Sequence, residues 1–488
     1  MSSLPTSNIF LPFFAQFVQD VPDSEQSDNG SVSNSDAEPE MQDFEVEMQE
    51  DNIPETVYDV VPENEESERN LQRIGTSKDT AMVPRQCSLT TKSEHIQTID
   101  ESFHLFIDDE IINNIILHTN KKIKECMPPE KQWKPVDRVE IDAFLGLLLL
   151  IGRYRESKES KNDLWKVDNA LSRRFYTATM SRDRFVDILR YICFDDPLTR
   201  EERKADDKLA PLRDVTNIFV KNCKDCYNAT ETGCVDEHLL TFRGRCSFKV
   251  YMPNKPGKYG IKIWTFCDSK TFYCRDLDVY LGKHGNTPEK QQGQRVVKRS
   301  TNFWKNDEHN ILSATETFKP DTISYHNTAK SGVDVLSKIV TEYTCRQCTH
   351  RWPLALFMRF IDIAAYNAFI LYQMKCPTWE SNSTLKTRRK IFLEELGKKL
   401  CEKNIDRRAT QFENQEIGLH KNVLRAIEAT GRNIVKKPKV AGQKRARCCF
   451  CIGSNNKYST ICDNCNRYVC GVHSTQYRQI LCNACNNT

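Results

Sequence analysis

The last 41 residues contain a cysteine pattern that restricts their fold more than any other feature of the sequence. Seven cysteines and one histidine form four pairs with a two-residue gap: Cys448 and Cys451, Cys462 and Cys465, Cys470 and His473, and Cys482 and Cys485. This gap lets neighbouring side chains bind one tetrahedral metal ion, and the mixture of Cys and His favours zinc. A segment this short buries too little apolar surface to fold without metal, so the pattern predicts a zinc domain over residues 448–485.

The spacing of the pairs favours an interleaved, cross-brace arrangement of two Zn²⁺ ions. We expect the first and third pairs to bind one ion, and the second and fourth pairs to bind the other. Cys449 is left over and could replace Cys448. RING-type and chromatin-reading modules also interleave two ions, but their histidine usually stands earlier among the ligands. A ubiquitin-ligase or histone-reading function therefore stays an alternative.

The formal net charge of +3 conceals two oppositely charged regions. Residues 1–68 contain 18 acidic side chains and no Lys or Arg, which leaves 49 acidic and 70 basic side chains in the other 420 residues. We predict that residues 1–100 form an acidic, disordered tail, because this segment has few large apolar side chains to bury. The basic remainder is typical of a protein that binds a polyanion such as nucleic acid.

Hydrophobic periodicity organises the rest of the chain. Helical spacing dominates residues 101–234, and three consecutive strands are predicted at Val235–Phe242, Tyr259–Cys267 and Phe272–Leu281. A weakly patterned stretch of 46 residues, 284–329, comes before two further predicted helices, from Val333 to about Tyr343 and from Pro353 to Gln373. Residues 376–447 are predicted to be a helical segment followed by a basic linker.

Two features bear on where the protein acts. No apolar run approaches the 18 or more residues that a membrane helix needs, so no contact with a membrane is predicted. The basic linker holds six Lys and Arg within 12 residues, 436–447, which favours a nuclear-import signal and a nuclear location. The uneven placement of the 21 cysteines favours an intracellular protein with a metal site over a disulfide scaffold.

The segment from Val235 to Trp264 combines one strand carboxylate with many basic residues. Asp236 stands near its start, and six bases follow: Arg243, Arg245, Lys249, Lys255, Lys258 and Lys262. Bases at turns beside a carboxylate suit contact with a phosphate backbone near a metal site. An ordinary basic surface fits the charge pattern equally well.

The same segment closely resembles the piggyBac transposase family. It contains the D-E-x-L-x-x-F-R-G-R-C core and the P-N-K-P-x-K-Y-G-I-K stretch, and further matches are M-S-R-D-R-F at 180–185, G-V-D at 332–334 and R-W-P at 351–353. The resemblance covers roughly residues 100–485. It implies an α/β fold, with an all-α dimerisation and DNA-binding domain over 101–234 and a ribonuclease H-like catalytic domain over 235–375.

The resemblance also implies a chemistry. The family uses three aspartates with two Mg²⁺ ions to cut and join DNA at TTAA sites, and its cysteine-rich end binds terminal inverted repeats. It thus implies double-stranded DNA as partner, a homodimer, and two Mg²⁺ besides the two Zn²⁺. The residues expected to contact DNA are Arg243, Arg245, Lys255, Lys258, Lys262, Arg346 and Arg351.

Two of the three catalytic aspartates have counterparts in this sequence. Asp236 matches the first and Asp334 matches the third. The second belongs to a C-D-N-W-F-type strand end, and no such motif occurs between Lys283 and Asp334. Asp307, Glu308 and Asp321 fall in this interval without the matching context. The catalytic domain is therefore expected to be incomplete, through an internal deletion or through coding sequence missing from the translation.

The missing part has consequences for structure and activity. The absent strand would pair beside the strand of Asp236, so we expect that strand to have an unpaired edge. Loss of one carboxylate should reduce cleavage by orders of magnitude. The sequence thus predicts a piggyBac-type transposase with impaired catalysis. The alternatives are a non-catalytic nuclear DNA-binding protein or regulator, and a zinc-dependent factor that binds proteins through its acidic head.

Overall fold

A computed structural model describes residues 86–126, 133–166, 173–230, 232–282, 295–296, 332–413, 421–432, 445–451, 456–462 and 467–474. The chain divides into two compact units. The first contains residues 1–141, 148–158 and 191–400, and the second contains residues 142–147, 159–190 and 401–488.

The described residues form the following helices and strands. The helices are α1 (Ile99–His104), α2 (Asp109–Cys126), α3 (Arg138–Arg153), α4 (Lys161–Leu164), α5 (Arg174–Thr179), α6 (Arg182–Tyr191), α7 (Arg200–Asp206), α8 (Arg213–Asp225), α9 (Gly332–Glu342), α10 (Trp352–Lys375), α11 (Leu385–Glu413) and α12 (Lys421–Glu428). The strands are β1 (Ser88–Leu89), β2 (Tyr227–Asn228), β3 (Gly233–Thr241), β4 (Lys249–Tyr251), β5 (Tyr259–Asp268), β6 (Cys274–Val279), β7 (Ala446–Arg447) and β8 (Lys457–Tyr458).

The first unit contains a four-stranded antiparallel sheet. Strand β5 pairs with β3 along one edge and with β4 and β6 along the other. The register places Asp236 opposite Thr265, and Leu240 opposite Ile261. The three strands predicted from β-branched and aromatic residues are confirmed as β3, β5 and β6, with small shifts at their ends. The short β4, which lies in the connection from β3 to β5, was not predicted.

The two helices predicted after the long unpatterned stretch are confirmed as α9 and α10. Helix α9 packs against β3 and β5 and also contacts α10. Helix α10 has Pro353 in its first turn, a position where the missing amide hydrogen of proline costs nothing. On α10, the amide of Asn367 accepts from the backbone N–H of Cys274 at 2.9 Å and donates to its carbonyl at 2.8 Å. These bonds fasten α10 to β6.

The expectation that no segment is long and apolar enough to cross a membrane is wrong for α10. Trp352–Lys375 passes by length and composition, because apolar residues continue around its whole circumference. Its most apolar window is fully buried inside the protein, as in the core helix of a soluble protein. Such a helix is weak evidence for a membrane span, and its burial explains the composition.

Local hydrogen bonds set the starts of several helices. Thr98 and Glu101 form a reciprocal capping box before α1. Asp137 accepts from the Glu140 amide at 2.9 Å before α3. Ser181 precedes α6 and accepts from the Arg184 amide at 3.3 Å.

The second unit has its own aromatic core. Trp165 lies with its ring 4.9 Å from that of Phe185, and its indole N–H donates to the carbonyl of Met180 at 2.8 Å. The side chain of Asn404, on α11, donates to the carbonyl of Thr179 at 2.8 Å. Helix α12 packs against α5. The predicted helical character of residues 376–435 is confirmed for the described part by α11 and α12.

The predicted disordered tail, residues 1–100, is wrong at its C-terminal end. Strand β1 pairs with β2, and the hydroxyl of Ser93 donates to the carbonyl of Cys226 at 2.7 Å. The polar residues that suggested a solvated segment here bind backbone groups at the end of α8. Residues 1–85 lie outside the described residues, and the rest of the five-domain division stays a prediction.

Candidate functional site

The two aspartates predicted to be catalytic lie on different elements of the first unit. Asp236 is part of β3, and Asp334 lies in the first turn of α9, which packs on the sheet. Gly332 permits this close packing. A Cβ atom at that position would lie 3.0 Å from the Cβ of Cys234 and 3.1 Å from the Sγ of Cys267. The sequence therefore places the start of α9 directly against the face of the sheet that carries Asp236.

Lys255 brings a positive charge to these carboxylates. Its Nζ lies 3.1 Å from Oδ1 of Asp334. Burial raises the pKa of the Asp236 carboxyl, and repulsion from Glu237 and Asp334 raises it further. The Glu237 amide, which donates to Oδ1 of Asp236 at 2.7 Å, and the charge of Lys255 both lower that pKa. The charge of Lys255 thus favours the ionised form of Asp236.

These residues do not fit the two-magnesium site that the family resemblance implies. Mg²⁺ needs about six oxygen ligands in octahedral geometry, and two such ions need several shared carboxylates. Within the described residues, the aspartates do not belong to any group of three or more candidate ligands close enough to hold one ion. The Lys255 ammonium already neutralises part of their charge. Asp307, Glu308 and Asp321 lie outside the described residues.

His238 is a third polar group beside this pair. It follows Asp236 by two residues and so lies on the same face of β3. It is 6% exposed, and its Nε2 has no hydrogen-bond partner in the part of the chain that the structure describes. Burial, together with the charges of Arg359 and Lys255, lowers its pKa well below the usual value. The imidazole is therefore neutral at neutral pH.

The outer edge of β3 has no neighbouring strand among the described residues. Its pairing is with β5 alone. An edge strand exposes a row of backbone N–H and C=O groups that can pair with another chain. The expectation of an unpaired edge stays a prediction, because residues 283–294 and 297–331 lie outside the described residues.

The predicted DNA-contacting bases of the sheet fall into two groups. Arg243, Arg245 and Lys258 are exposed, and no ion pair engages them among the described residues. Lys255 and Lys262 are engaged, Lys255 with Asp334 as above. The Nζ of Lys262 lies 2.8 Å from a carboxylate oxygen of Glu237 and 4.7 Å from the ring centre of Trp264. The exposed group is the one available to phosphate.

Arg346 and Arg351 are partly buried, unlike the exposed group. The guanidinium of Arg351 donates to the carbonyl of Ile192. Burial lowers the pKa of Arg346 to about 10, and repulsion from Arg359 lowers it too. Arg346 therefore remains charged at neutral pH. Their contact with DNA stays a prediction, and their surroundings favour it less than those of the exposed group.

Three cysteines and one histidine come together in the second unit. The ligand atoms of Cys448, Cys451, Cys470 and His473 all lie within 4.8 Å of one another. Nδ1 of His473 lies 3.6, 3.4 and 3.2 Å from the sulfurs of Cys448, Cys451 and Cys470, respectively. Strands β7 and β8 and the 3₁₀ turn Gly471–His473 hold these residues. These are the four ligands that the interleaved scheme assigns to one ion.

The donor set of this cluster fits a tetrahedral zinc ion. Thiolates and imidazole are the ligands that structural zinc prefers. Burial would raise the pKa of the Cys448 thiol, but backbone N–H groups of Phe450 and Cys470 donate to it and the net result is a pKa of about 6. A thiol that ionises this readily is suited to bind metal. Cys449 is exposed and stands outside the cluster.

Cys462 is the member of the second predicted ligand set that lies within the described residues. It does not belong to the first cluster, and its backbone N–H donates to the carbonyl of Arg467 at 2.9 Å. Its predicted partners Cys465, Cys482 and Cys485 lie outside the described residues. The second zinc ion stays a prediction.

The chain is similar to known transposases and to proteins derived from them. Residues 100–313 match a family model described as Transposase IS4. A piggyBac transposase, solved by cryo-EM in a synaptic complex with hairpin DNA, aligns with a TM-score of 0.65 and 25% identity, over 82% of this chain and 100% of that one. Two Homo sapiens proteins, piggyBac transposable element-derived proteins 3 and 2, are each 26% identical, over 198 and 210 residues. In sequence and in fold, the chain is similar to proteins of the piggyBac family.

This similarity to piggyBac proteins confirms the resemblance carried by the motifs of the strand block, and the structural match confirms the mixed α/β fold. The human relatives match 41% of this chain but only 32% and 33% of their own lengths, so the chain spans about a third of each.

Sequence reasoning missed the role of one piggyBac-motif residue. Lys255 belongs to the P-N-K-P stretch and was predicted to contact DNA, whereas the structure pairs it with Asp334. The motif places the lysine between two prolines and beside Gly257, whose Cβ would lie 2.2 Å from the hydroxyl of Thr241. A signal was therefore present, because a lysine in such a tightly held turn has a restricted reach.

Proposed function

We propose that this piggyBac-like chain binds the double-stranded terminal inverted repeats of a transposable element but cuts them poorly. The observation that carries the proposal is the carboxylate pair whose counter-charge is a lysine. A nuclease of this kind needs carboxylates in excess, so that metal ions have ligands to bind. Here the ammonium of Lys255 lies 3.1 Å from Asp334, and the described residues supply no third catalytic carboxylate.

Binding of DNA is supported by charge and by similarity. The similar piggyBac transposase was solved with hairpin DNA. In this chain, Arg243, Arg245 and Lys258 are exposed on the sheet domain and suit contact with phosphate. We assign the Cys/His cluster, with zinc bound, to recognition of the inverted repeats. The basic linker 436–447 would direct the protein to the nucleus.

We further propose that the sheet of β3 to β6, with α9, is the remnant of a ribonuclease H-like domain, and that the protein acts as a homodimer. Asp236 and Asp334 would then be the first and third residues of a metal site whose second carboxylate is missing. In such a remnant the two aspartates hold Lys255 and help to position α9 on the sheet.

The test has two readouts on one DNA substrate. Purified full-length protein, loaded with zinc, is mixed with a labelled inverted-repeat end flanked by TTAA, with Mg²⁺ present. We expect salt-dependent binding in a mobility-shift assay and no nicking above background. Nicking that the substitution Asp236→Ala abolishes would refute the impaired-catalysis part. Absence of binding to any duplex would refute the DNA-binding part and favour a protein-interaction role.

A transposase that cuts and joins at TTAA is the second candidate. The match of residues 100–313 to the Transposase IS4 model favours it, because that range extends beyond β6. Under this hypothesis the second carboxylate comes from residues outside the described ones, and Asp307→Asn or Asp321→Asn would abolish nicking as Asp236→Ala does.

A further inference from the structure

Two tyrosines form an exposed aromatic pair at the hairpin of β4 and β5. Tyr251 and Tyr259 stand directly opposite each other in the register, and their ring centres lie 4.8 Å apart at an angle of 42°. They are 43% and 48% exposed. Neither hydroxyl has a hydrogen-bond partner among the described residues. The pair is therefore rigidly placed by two strands and yet leaves much of its ring surface in water.

The segment of sequence that contains the pair carries charge of one sign. The sequence from His238 to Cys267 contains six Lys and Arg and no Asp or Glu. Lys249, Lys258, Arg243 and Arg245 are exposed. Aromatic rings among exposed cations are the combination that binds single-stranded nucleic acid, because bases stack on the rings while phosphates approach the cations.

The turn between the two strands is built to hold its shape. The backbone N–H of Met252 donates to the carbonyl of Lys258 at 2.7 Å, and the N–H of Lys258 donates to the carbonyl of Lys255 at 3.0 Å. Lys258 adopts a φ of 53°, in the left-handed region. A preorganised turn lowers the entropy lost when a ligand binds.

The tyrosines lie on the same face of the sheet as the carboxylate pair. Along β5, Tyr259 and Thr265 are separated by an even number of residues and so point to the same side, and Thr265 is opposite Asp236. Six residues of a strand span roughly 20 Å. A strand of DNA whose end reaches Asp236 could therefore place nearby unpaired bases over the tyrosines.

We propose that Tyr251 and Tyr259 form a stacking platform for unpaired bases of DNA, at a strand end or a hairpin tip. This inference rests on the proposed DNA-binding function and adds the form of DNA that the sheet recognises. The alternative, a tyrosine pair that only stabilises the hairpin, gives no reason for the cations around it and predicts no effect on DNA.

The test compares blunt duplex DNA with the same duplex carrying an unpaired tail, using the full-length, zinc-loaded protein. In the Tyr251→Leu/Tyr259→Leu variant we expect affinity for the tailed DNA to fall roughly tenfold and affinity for the blunt duplex to change little. A Tyr251→Phe/Tyr259→Phe variant keeps both rings and should bind like the wild type. A tail that contains 2-aminopurine should be quenched on binding by the wild type and not by the leucine variant.

Each outcome tests either the stacking platform or the DNA-binding function on which it rests. If the wild type binds blunt duplex but the leucine variant loses nothing on tailed DNA, the platform is refuted and the proposed function stands. An equal loss on both DNAs also refutes it. If the wild type binds neither DNA, both ideas fall. Tighter binding of single-stranded RNA than of DNA with the same sequence would refute the assignment to DNA. The single variant Tyr251→Leu, with thermal unfolding as a check, covers the case in which the double variant does not fold.

Discussion

The Cys/His cluster and the carboxylate pair both look like metal sites in the sequence, yet they are built differently. In the cluster, four ligand atoms lie within 4.8 Å of one another. In the pair, two aspartates share their surroundings with Lys255, whose Nζ lies 3.1 Å from Asp334. The cluster needs an ion from solution to stabilise its thiolates, whereas the pair obtains its positive charge from its own chain. Resemblance to a metal-dependent family therefore does not replace a count of ligands and of counter-charges.

Removal of zinc should have the largest effect and would test the first half of the comparison. Structural zinc sites in small domains contribute on the order of 10 kcal/mol to folding. We expect Cys470→Ser to unfold residues 445–474, and we expect metal analysis of the wild type to give about two Zn²⁺ per chain if the second set binds as predicted. Proteolysis measures the unfolding, and elemental analysis measures the zinc content.

The matched control for this variant is Cys449→Ser, because Cys449 is exposed and outside the cluster. It should leave both metal content and folding unchanged. A stoichiometry near one would contradict the second ion, and loss of metal in the control would contradict the ligand set.

The two regions also differ in how well the sequence predicted them. The cluster was predictable, because ligand spacing is local information and fixes which residues bind together. The strands around Asp236 followed from their β-branched and aromatic residues, which suit a half-buried sheet. The ion pair of Lys255 with Asp334 was not predictable, since it joins residues 79 positions apart whose proximity depends on how α9 packs on the sheet. The sequence predicted α10 as a helix, but it placed the end at Gln373 instead of Lys375.

Replacing Gly332 with a larger residue should have the next largest effect on stability, because the added side chain would push α9 away from the sheet. The added methyl of Gly332→Ala would lie 3.0 Å from Cys234 and 3.1 Å from Cys267, so we expect a loss of about 1–3 kcal/mol in the free energy of unfolding. Gly471→Ala in the zinc-binding region is the control, since a Cβ there meets no atom of the described residues within 4 Å. Denaturant unfolding measures both. Equal stability of the two variants would show that α9 does not depend on this contact.

Replacing Asp236 tests the cost of burying its charge. Burial raises the pKa of this carboxyl above its usual value, so the folded state binds the proton more tightly than the unfolded state does. Stability is then lost as the pH rises through the interval from the unfolded to the folded pKa, and the whole cost is present above it. We expect Asp236→Asn to stabilise the protein by about 1 kcal/mol at neutral pH, and the gain to vanish at pH values below the unfolded pKa. Thermal unfolding of both proteins across this pH range, with chelator present, measures the difference in stability. Parallel curves for variant and wild type would contradict the raised pKa.

The smallest effect should come from Lys255, and it bears most directly on the comparison. Half of the partner carboxylate is exposed, since the Asp334 side chain has a relative exposure of 56%, so water and salt screen the ion pair. A screened pair contributes up to about 1 kcal/mol, and its loss corresponds to roughly fivefold in an equilibrium constant. If the ammonium competes with divalent cations for these carboxylates, Lys255→Gln should bind Mn²⁺ about fivefold more tightly than the wild type.

Electron paramagnetic resonance of free Mn²⁺ measures this affinity without any need for activity. Lys258→Gln is the matched control, because Lys258 belongs to the same turn and is exposed. If the wild type already binds Mn²⁺ as tightly as the Lys255→Gln variant, the lysine is no substitute for a metal ion and the contrast between the two regions fails.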